Sequence, residues 1–387
     1  MTAAAQFNFE DIGTILDGLP IDKPQGQLNS LDSDELKAAV RTAIMNPIDY
    51  PSISDAIYDG DCVVIAIQGI TGNVNDVIET IVTMVNANRS EKVSVTVLAD
   101  AFTASRLDLT NLADVSLVSH DPDNDQQMAC LAVGANDQAL YVNRLLFDAD
   151  IVIPIGCLSP LDKLRTDDCL FPNFSSRTNR EAFHEQSERD QSADVRRVNN
   201  LLGTFFAVQL ILGPGDIIHE ILAGERRSVL KATKKKLAKL WSVAVEKPAD
   251  LFIATIETLA SEPNWEDFGR ALVVAERCSQ NAAPIVVCTH LKQIPSREIR
   301  MALRESLPET LPESKRIANT LHGQMSAILA SHPVYLASQL TQSDVERMGL
   351  GFLNEPGELK RIAAKCSHGM LLRDAHKCEV DVPSELP

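Results

Sequence analysis

Short apolar runs recur along the chain at Cys62–Ile67, Val93–Leu98, Val115–Val118, Asp150–Ile155, Ala207–Leu212, Leu251–Ile256, Pro284–Thr289 and Val334–Ala337. They are rich in Val and Ile and mostly do not alternate with polar residues, the pattern of strands covered on both faces. Between them, apolar residues return every three to four positions. In Val74–Val85, the side chains of Val77, Ile78, Ile81, Val82 and Val85 fall on one helical face. Trp265–Cys278, Ser314–Ala330 and Glu358–Cys366 show the same period. Strand–helix alternation predicts the α/β class, with mostly parallel sheets flanked by helices. Phe171–Val195 is polar, charged and poor in apolar periodicity, and reads as a long loop or exposed hairpin.

At roughly 100–200 residues per domain, a chain of 387 residues predicts two domains. The basic stretch Lys231–Lys239 ends at Trp241, and Glu246-Lys-Pro-Ala-Asp250 leads into a fresh strand. The break is therefore expected near 247, giving domains 1–246 and 247–387 with an interdomain cleft, the last residues being free to pack back on the first domain. Apolar residues at 45% and charged ones at 23% exclude disorder of the whole chain. With 36 basic and 53 acidic side chains the net charge is −17, a field that repels nucleic acid. No apolar run approaches the roughly 18 residues of a membrane helix, and the start of the chain has neither the basic residues nor the apolar core of a secretory signal. A cytoplasmic location is expected. The eight cysteines, at 62, 130, 157, 169, 278, 288, 366 and 378, form no Cys-x-x-Cys pair. They read as separate reduced thiols, with no disulfide expected.

Several segments could carry chemistry. Gln68-Gly-Ile-Thr-Gly-Asn73 follows a strand and opens a helix, where backbone N–H groups can bind an anion. It lacks the third glycine of a dinucleotide loop and the lysine of a P-loop, so an ordinary turn with Asn73 near the cap competes with that reading. Leu212-Gly-Pro-Gly-Asp216 reads as a tight turn, since its proline removes a donor. The five lysines of Lys231–Lys239 read as a solvated helix face. His120-Asp-Pro-Asp-Asn-Asp125 offers oxygens to a hard cation, but its residues are also those of turns. His184 stands among Glu181, Glu185, Glu188 and Asp190, which could orient a metal-binding imidazole or mark a solvated surface.

Leu140-Tyr-Val-Asn-Arg-Leu-Leu-Phe-Asp-Ala-Asp-Ile-Val-Ile-Pro-Ile-Gly156, preceded by His120-Asp-Pro-Asp123, resembles the nickel-dependent lactate racemase family. Weaker similarity extends over residues 62–87, Ala249–Ala254, Pro284–Thr289 and the tail from His332 to Ala364. The resemblance implies two α/β domains and an enzyme that interconverts the enantiomers of a 2-hydroxy acid. In such enzymes a nickel pincer nucleotide accepts and returns a hydride, two histidines exchange the hydroxyl proton, a lysine holds the cofactor and a further histidine ligates nickel.

Carried onto this sequence, much of that apparatus is replaced. The substrate loop falls on Gly69, Thr71 and Gly72, where the carboxylate-binding arginine has become Gly72. One proton-transfer histidine becomes Thr103, near Ser105 and Arg106, and the other becomes Leu161. The cofactor lysine falls on Asp168, close to Arg165. The family's lysine near the start of the second domain becomes Arg270, and only the nickel-ligating histidine persists, as His184. Loss of each general base removes about 10²–10⁴ in rate, and loss of the arginine removes a bidentate carboxylate partner.

The reading is thus a lactate-racemase-like protein with a degenerate nickel site, without lactate racemase activity, taking a small anionic ligand in the cleft. On this reading Thr103, Arg106 and Asp168 stand at catalytic positions. Gly69, Thr71, Gly72, Asn73, Arg165 and Arg270 stand at cofactor positions, and His184 at the metal position. No bound cofactor is expected, the nickel pincer nucleotide being implied by resemblance only, and no nucleic-acid or membrane partner is expected. Two alternatives stay open: a racemase or epimerase of another 2-hydroxy acid that uses Asp100, Arg106, Arg165 and His184, and a nucleotide-dependent enzyme that uses the 68–73 loop. Nothing in the sequence sets the oligomeric state.

Overall fold

A computed structural model describes residues 12, 16, 18–25, 31–69, 73–87, 89–91, 93–112, 114–135, 137–160, 169–257, 262–296, 299–300 and 321–381. The chain forms two compact units. The first comprises Asn29–Gly213 and Ile217–Leu237; the second comprises Met1–Leu28, Pro214–Asp216 and Ala238–Pro387.

The first unit is built on a six-stranded sheet in the order Val115–His120, Ser94–Asp100, Cys62–Ile67, Ile151–Cys157, Phe206–Leu212, Ile218–Glu225. All neighbours run parallel except the last pair, which is antiparallel. One face carries Ile65, Ile67, Val95, Val97, Ile153, Ile155 and Val208, packed with Leu36, Val40 and Ile44 of the helix Ser33–Met45 and Val77, Ile78 and Ile81 of the helix Val74–Val85. The other face buries Val64, Ala66, Leu98 and Val152 with Leu146, Leu170 and Phe174. Both faces are covered, which is why the strands read as unbroken apolar runs.

The segment expected to be a loop at Phe171–Val195 is instead largely helical. Helices span Arg177–Glu185 and Glu188–Leu201, with Ser176 and Ser187 capping their first turns by accepting from Asn179 N and Asp190 N. Much of what they bury is polar. Asn179 accepts from Tyr141 N at 2.8 Å and donates to Ala139 O at 2.8 Å, and Asp194 accepts from Ala135 N at 2.9 Å. Those bonds satisfy the hairpin Met128–Val133/Ala139–Asn143 and the turn within it. An apolar count could not register helices whose buried face includes Asn and Asp.

The second unit holds a parallel sheet in the order Ile21–Asp22, Gly369–Leu372, Leu251–Ile256, Ile285–Thr289, Val334–Ala337, Gly351–Phe352. The helix Trp265–Cys278 buries Trp265, Phe268, Ala271, Leu272, Ala275 and Cys278. Of the expected helix Ser314–Ala330, residues 314–320 lie outside the described residues and a helix spans Leu321–Ser331. A separate two-stranded pair joins Ser242–Ala244 to Glu379–Asp381.

This division does not coincide with the break expected near 247. The last passage between the units falls within the helix Arg226–Trp241, and residues 1–28 group with the C-terminal sheet through the pairing of Ile21–Asp22 with Gly369–Met370. A crossing made by a continuous helix leaves no linker composition to detect. All eight cysteines carry free thiols. Among the described residues no helix is long and apolar enough to cross a membrane.

Candidate functional site

In an open parallel sheet, ligands bind outside the carboxyl ends of the strands, where the strand order reverses. In the first unit that point lies between Cys62–Ile67 and Ile151–Cys157, because the chain first adds Ser94–Asp100 and Val115–His120 on one side and later returns to the other. Gly69 leaves the first of these strands with φ +73°, and a β-carbon there would lie 3.3 Å from Cys157 Sγ at the end of the second. Beneath them the buried Cys169 thiol donates to Ile155 O at 3.3 Å. The helix Val74–Val85 starts at Asn73, whose side chain makes no capping hydrogen bond. Its N-terminal dipole therefore faces this edge without a side-chain cap.

One strand away, Ala99 pairs with Ile67, so Asp100 stands next to Gln68 at the same edge, and Asp100 itself pairs with His120. Asp100 caps the short helix Ala101–Ala104. It accepts from Thr103 N at 2.9 Å and from the Thr103 hydroxyl at 2.5 Å, and Thr103 is fully buried. Arg106 is exposed and lies over the Phe102 ring, 4.0 Å from its centroid.

His120 is buried. Its Nε2 lies 3.1 Å from Ser175 O and its Nδ1 lies 3.0 Å from Asn143 Nδ2. The carbonyl requires Nε2 to donate and the amide requires Nδ1 to accept, which fixes the neutral tautomer. Burial, helped by the positive charge of Arg180, pushes the pKa down to about 4. The following turn is closed within itself and to the next helix: Asp121 accepts from Asp123 N at 3.0 Å, and Asp123 holds Arg177 with two bonds of 2.5 Å.

His184 is exposed in the last turn of Arg177–Glu185, its ring edge-on to Phe183 at 6.2 Å. Among the described residues no three His, Cys, Asp or Glu side chains are grouped to hold a metal ion. Arg270, in the second unit, bonds Asp267 at 3.0 Å on its own helix. Of the other expected site residues, Gly69, Asn73, Thr103, Arg106 and His184 lie in the first unit, while Thr71, Gly72, Leu161, Arg165 and Asp168 lie outside the described residues.

The second sheet reverses between Leu251–Ile256 and Gly369–Leu372, and there the protein fills the position with its own charges. Buried Asp374, in left-handed conformation (φ +47°), accepts from Glu257 N at 2.6 Å and Gly215 N at 2.8 Å. Lys377 donates to Asp216 at 2.7 Å and Asp374 at 3.3 Å, and Arg373 grips Glu257 with bonds of 3.0 and 2.5 Å. The turn at Gly213–Asp216 is tight, as its sequence predicted, but it also supplies a buried carboxylate. This network is not legible in the sequence, because the segment Arg373–Lys377 meets partners at 215, 216 and 257 that are more than a hundred residues away and follow no motif. With the second reversal point filled, the carboxyl edge of the first sheet is the candidate site.

Residues 26–161 match the family model of the lactate racemase N-terminal domain. The structure of the lactate racemase apoprotein from Thermoanaerobacterium thermosaccharolyticum is similar over 97% of this chain and 97% of that one, with TM-score 0.62 and 14% identity. A Thermotoga maritima protein solved by a structural genomics consortium is similar over 92% of this chain and 100% of its own, with TM-score 0.55 and 11% identity. No curated protein matches the chain. At such identities the solved structures establish the fold, and the family model supplies the sequence link. The chain is lactate-racemase-like, in the sequence of its N-terminal domain and in its α/β fold.

Proposed function

We propose that this lactate-racemase-like protein binds a small anion at the carboxyl edge of its first sheet and does not racemise lactate. The observation that carries the reading is the mutual engagement of Asp100 and Thr103. By the resemblance, Thr103 occupies the position of a proton-transferring histidine. A buried hydroxyl that donates to a helix-capping carboxylate has neither the basicity nor the freedom to exchange a substrate proton near neutral pH.

The residues present do not fit the nickel pincer nucleotide. Aspartate at 168 cannot form the covalent linkage that a lysine makes. His184 is an exposed imidazole, and among the described residues no three His, Cys, Asp or Glu side chains are grouped to hold a metal ion; one imidazole alone holds nickel weakly. What supports anion binding is the start of Val74–Val85 behind Gly69, where Asn73 makes no capping hydrogen bond, at a reversal point where no salt-bridge network is found among the described residues.

Thermal unfolding of the purified chain with lactate, glycolate and inorganic phosphate at increasing concentration tests the reading. A ligand that binds the folded state raises the midpoint with the logarithm of its concentration. A rise for at least one of these anions, absent with a neutral analogue such as lactamide, is expected. No rise with any of them would refute anion binding.

A further inference from the structure

The carboxylate-binding arginine that the resemblance implies has become Gly72, yet the same edge of the first sheet holds another arginine that forms no ion pair with the described residues. Arg180 lies on the helix Arg177–Glu185, where Ser176 caps the first turn. The start of that helix is pinned beyond the end of the strand Val115–His120: Arg177 N donates to Pro122 O at 3.0 Å and the Arg177 guanidinium is paired with Asp123. Arg180, nearly one turn on, has no such carboxylate. Its Nη2 donates to the Asn173 carbonyl, its Nε is buried without a partner, and no ion pair links it to any described residue. Nη1 makes no hydrogen bond with the described residues, and the side chain keeps part of its surface open.

Its neighbours leave that charge available. Asp100 and, more weakly, Asp123 act on Arg180 electrostatically from beyond ion-pair distance; the two oxygens of Asp100 already accept from Thr103, and those of Asp123 from Arg177. His120 is held neutral by Ser175 and Asn143, so it adds no competing charge. A half-buried guanidinium satisfied only by a backbone carbonyl has lost hydration without gaining a counter-ion. Burial accordingly pushes its pKa below the usual arginine range. An anion arriving at its open nitrogens supplies the missing partner at low desolvation cost, and a carboxylate matches the two-nitrogen fork.

We infer that Arg180 is the anion-recognition residue of this site and receives the carboxylate of a small organic acid. The inference rests on the anion-binding reading above and assigns its specificity to a residue the family resemblance does not mark.

Titration calorimetry of the full chain with L-lactate, glycolate and inorganic phosphate, each at two salt concentrations, tests it with Arg180→Met and Arg180→Lys. The wild-type chain is expected to bind a carboxylate more tightly than phosphate. Arg180→Met should weaken that binding at least tenfold, and Arg180→Lys, which keeps the charge but not the fork, should weaken it by a smaller factor. Urea unfolding of each variant separates loss of binding from loss of fold; if the Met variant does not fold, the Lys variant decides by the same comparison with wild type. Unchanged carboxylate binding in a folded variant would overturn the role of Arg180 while leaving the anion site standing. Absence of binding of all three anions to the wild-type chain would overturn both.

Discussion

Asp100 accepts two hydrogen bonds from Thr103, one from its N–H at 2.9 Å and one from its hydroxyl at 2.5 Å. The pair closes the turn that ends the strand Ser94–Asp100 and begins the helix Ala101–Ala104, so its first role is architectural.

Thr103→Val, close in volume, should therefore destabilise the chain. The lost bond to a charged acceptor is worth about 1.5–3 kcal/mol, and Thr103→Ser should recover most of it. Urea denaturation reads the difference. A neutral effect of the valine would show that the hydroxyl is not needed for the fold and would reopen a chemical role.

The central strands of both sheets are legible because each is buried on two faces and so carries an unbroken apolar run. Ser94–Asp100 extends two residues beyond the run read from sequence, because Ala99 and Asp100 pair at the edge where the site begins. The helix Ser33–Met45 carries its signals faintly: Leu36, Val40 and Ile44 at four-residue spacing behind an Asp32–Glu35 capping box. Only Leu36, Val40 and Ile44 are fully buried large apolar residues there, and alanines spread around the helix blur their stripe. The strand Ile218–Glu225 was missed because its core-facing Ile218, Ile221 and Ala223 break strict alternation, the register shifting near Ile211. At the candidate site, the left-handed Gly69 and the helix Val74–Val85 are readable from glycine and position, while residues 70–72 lie outside the described residues. Arg180 and the neutral state of His120 depend on tertiary neighbours distant in sequence, and no local pattern encodes them.

His120 makes stability depend on pH. Its folded pKa, about 4, lies below the unfolded value of 6.5. The unfolded chain therefore takes up the proton first as pH falls. The contribution of the neutral imidazole is complete above pH 6.5 and is lost between pH 6.5 and about 4, amounting to about 3 kcal/mol at most. His120→Gln removes this titration, so its unfolding free energy should fall less steeply over that window than the wild-type value. Parallel curves would contradict the assigned pKa. An imidazole resonance of His120 that titrates near 6.5 in the folded protein would do so directly.

Lys377 holds two carboxylates in the second unit. Burial opposes its charge, but Asp374 and Asp216 outweigh that cost and raise its pKa above the ordinary lysine value. Lys377→Met leaves both carboxylates without their cation and should cost about 3–5 kcal/mol. Adding Asp216→Asn to Lys377→Met should restore part of the loss, since one of the uncompensated charges is then gone. A double variant no more stable than the single would show that the two side chains are not coupled.

On the function proposed above, the lactate racemase fold persists here without the lactate racemase reaction. Chiral chromatography of L-lactate incubated with the purified chain, read beside the intact mass and nickel content of the same sample, tests this most directly. The account predicts no D-lactate above the protein-free control, a mass of 42.3 kDa without a covalent adduct, and no stoichiometric nickel. D-lactate formed by protein that carries one nickel and a nucleotide-sized adduct per chain would contradict it.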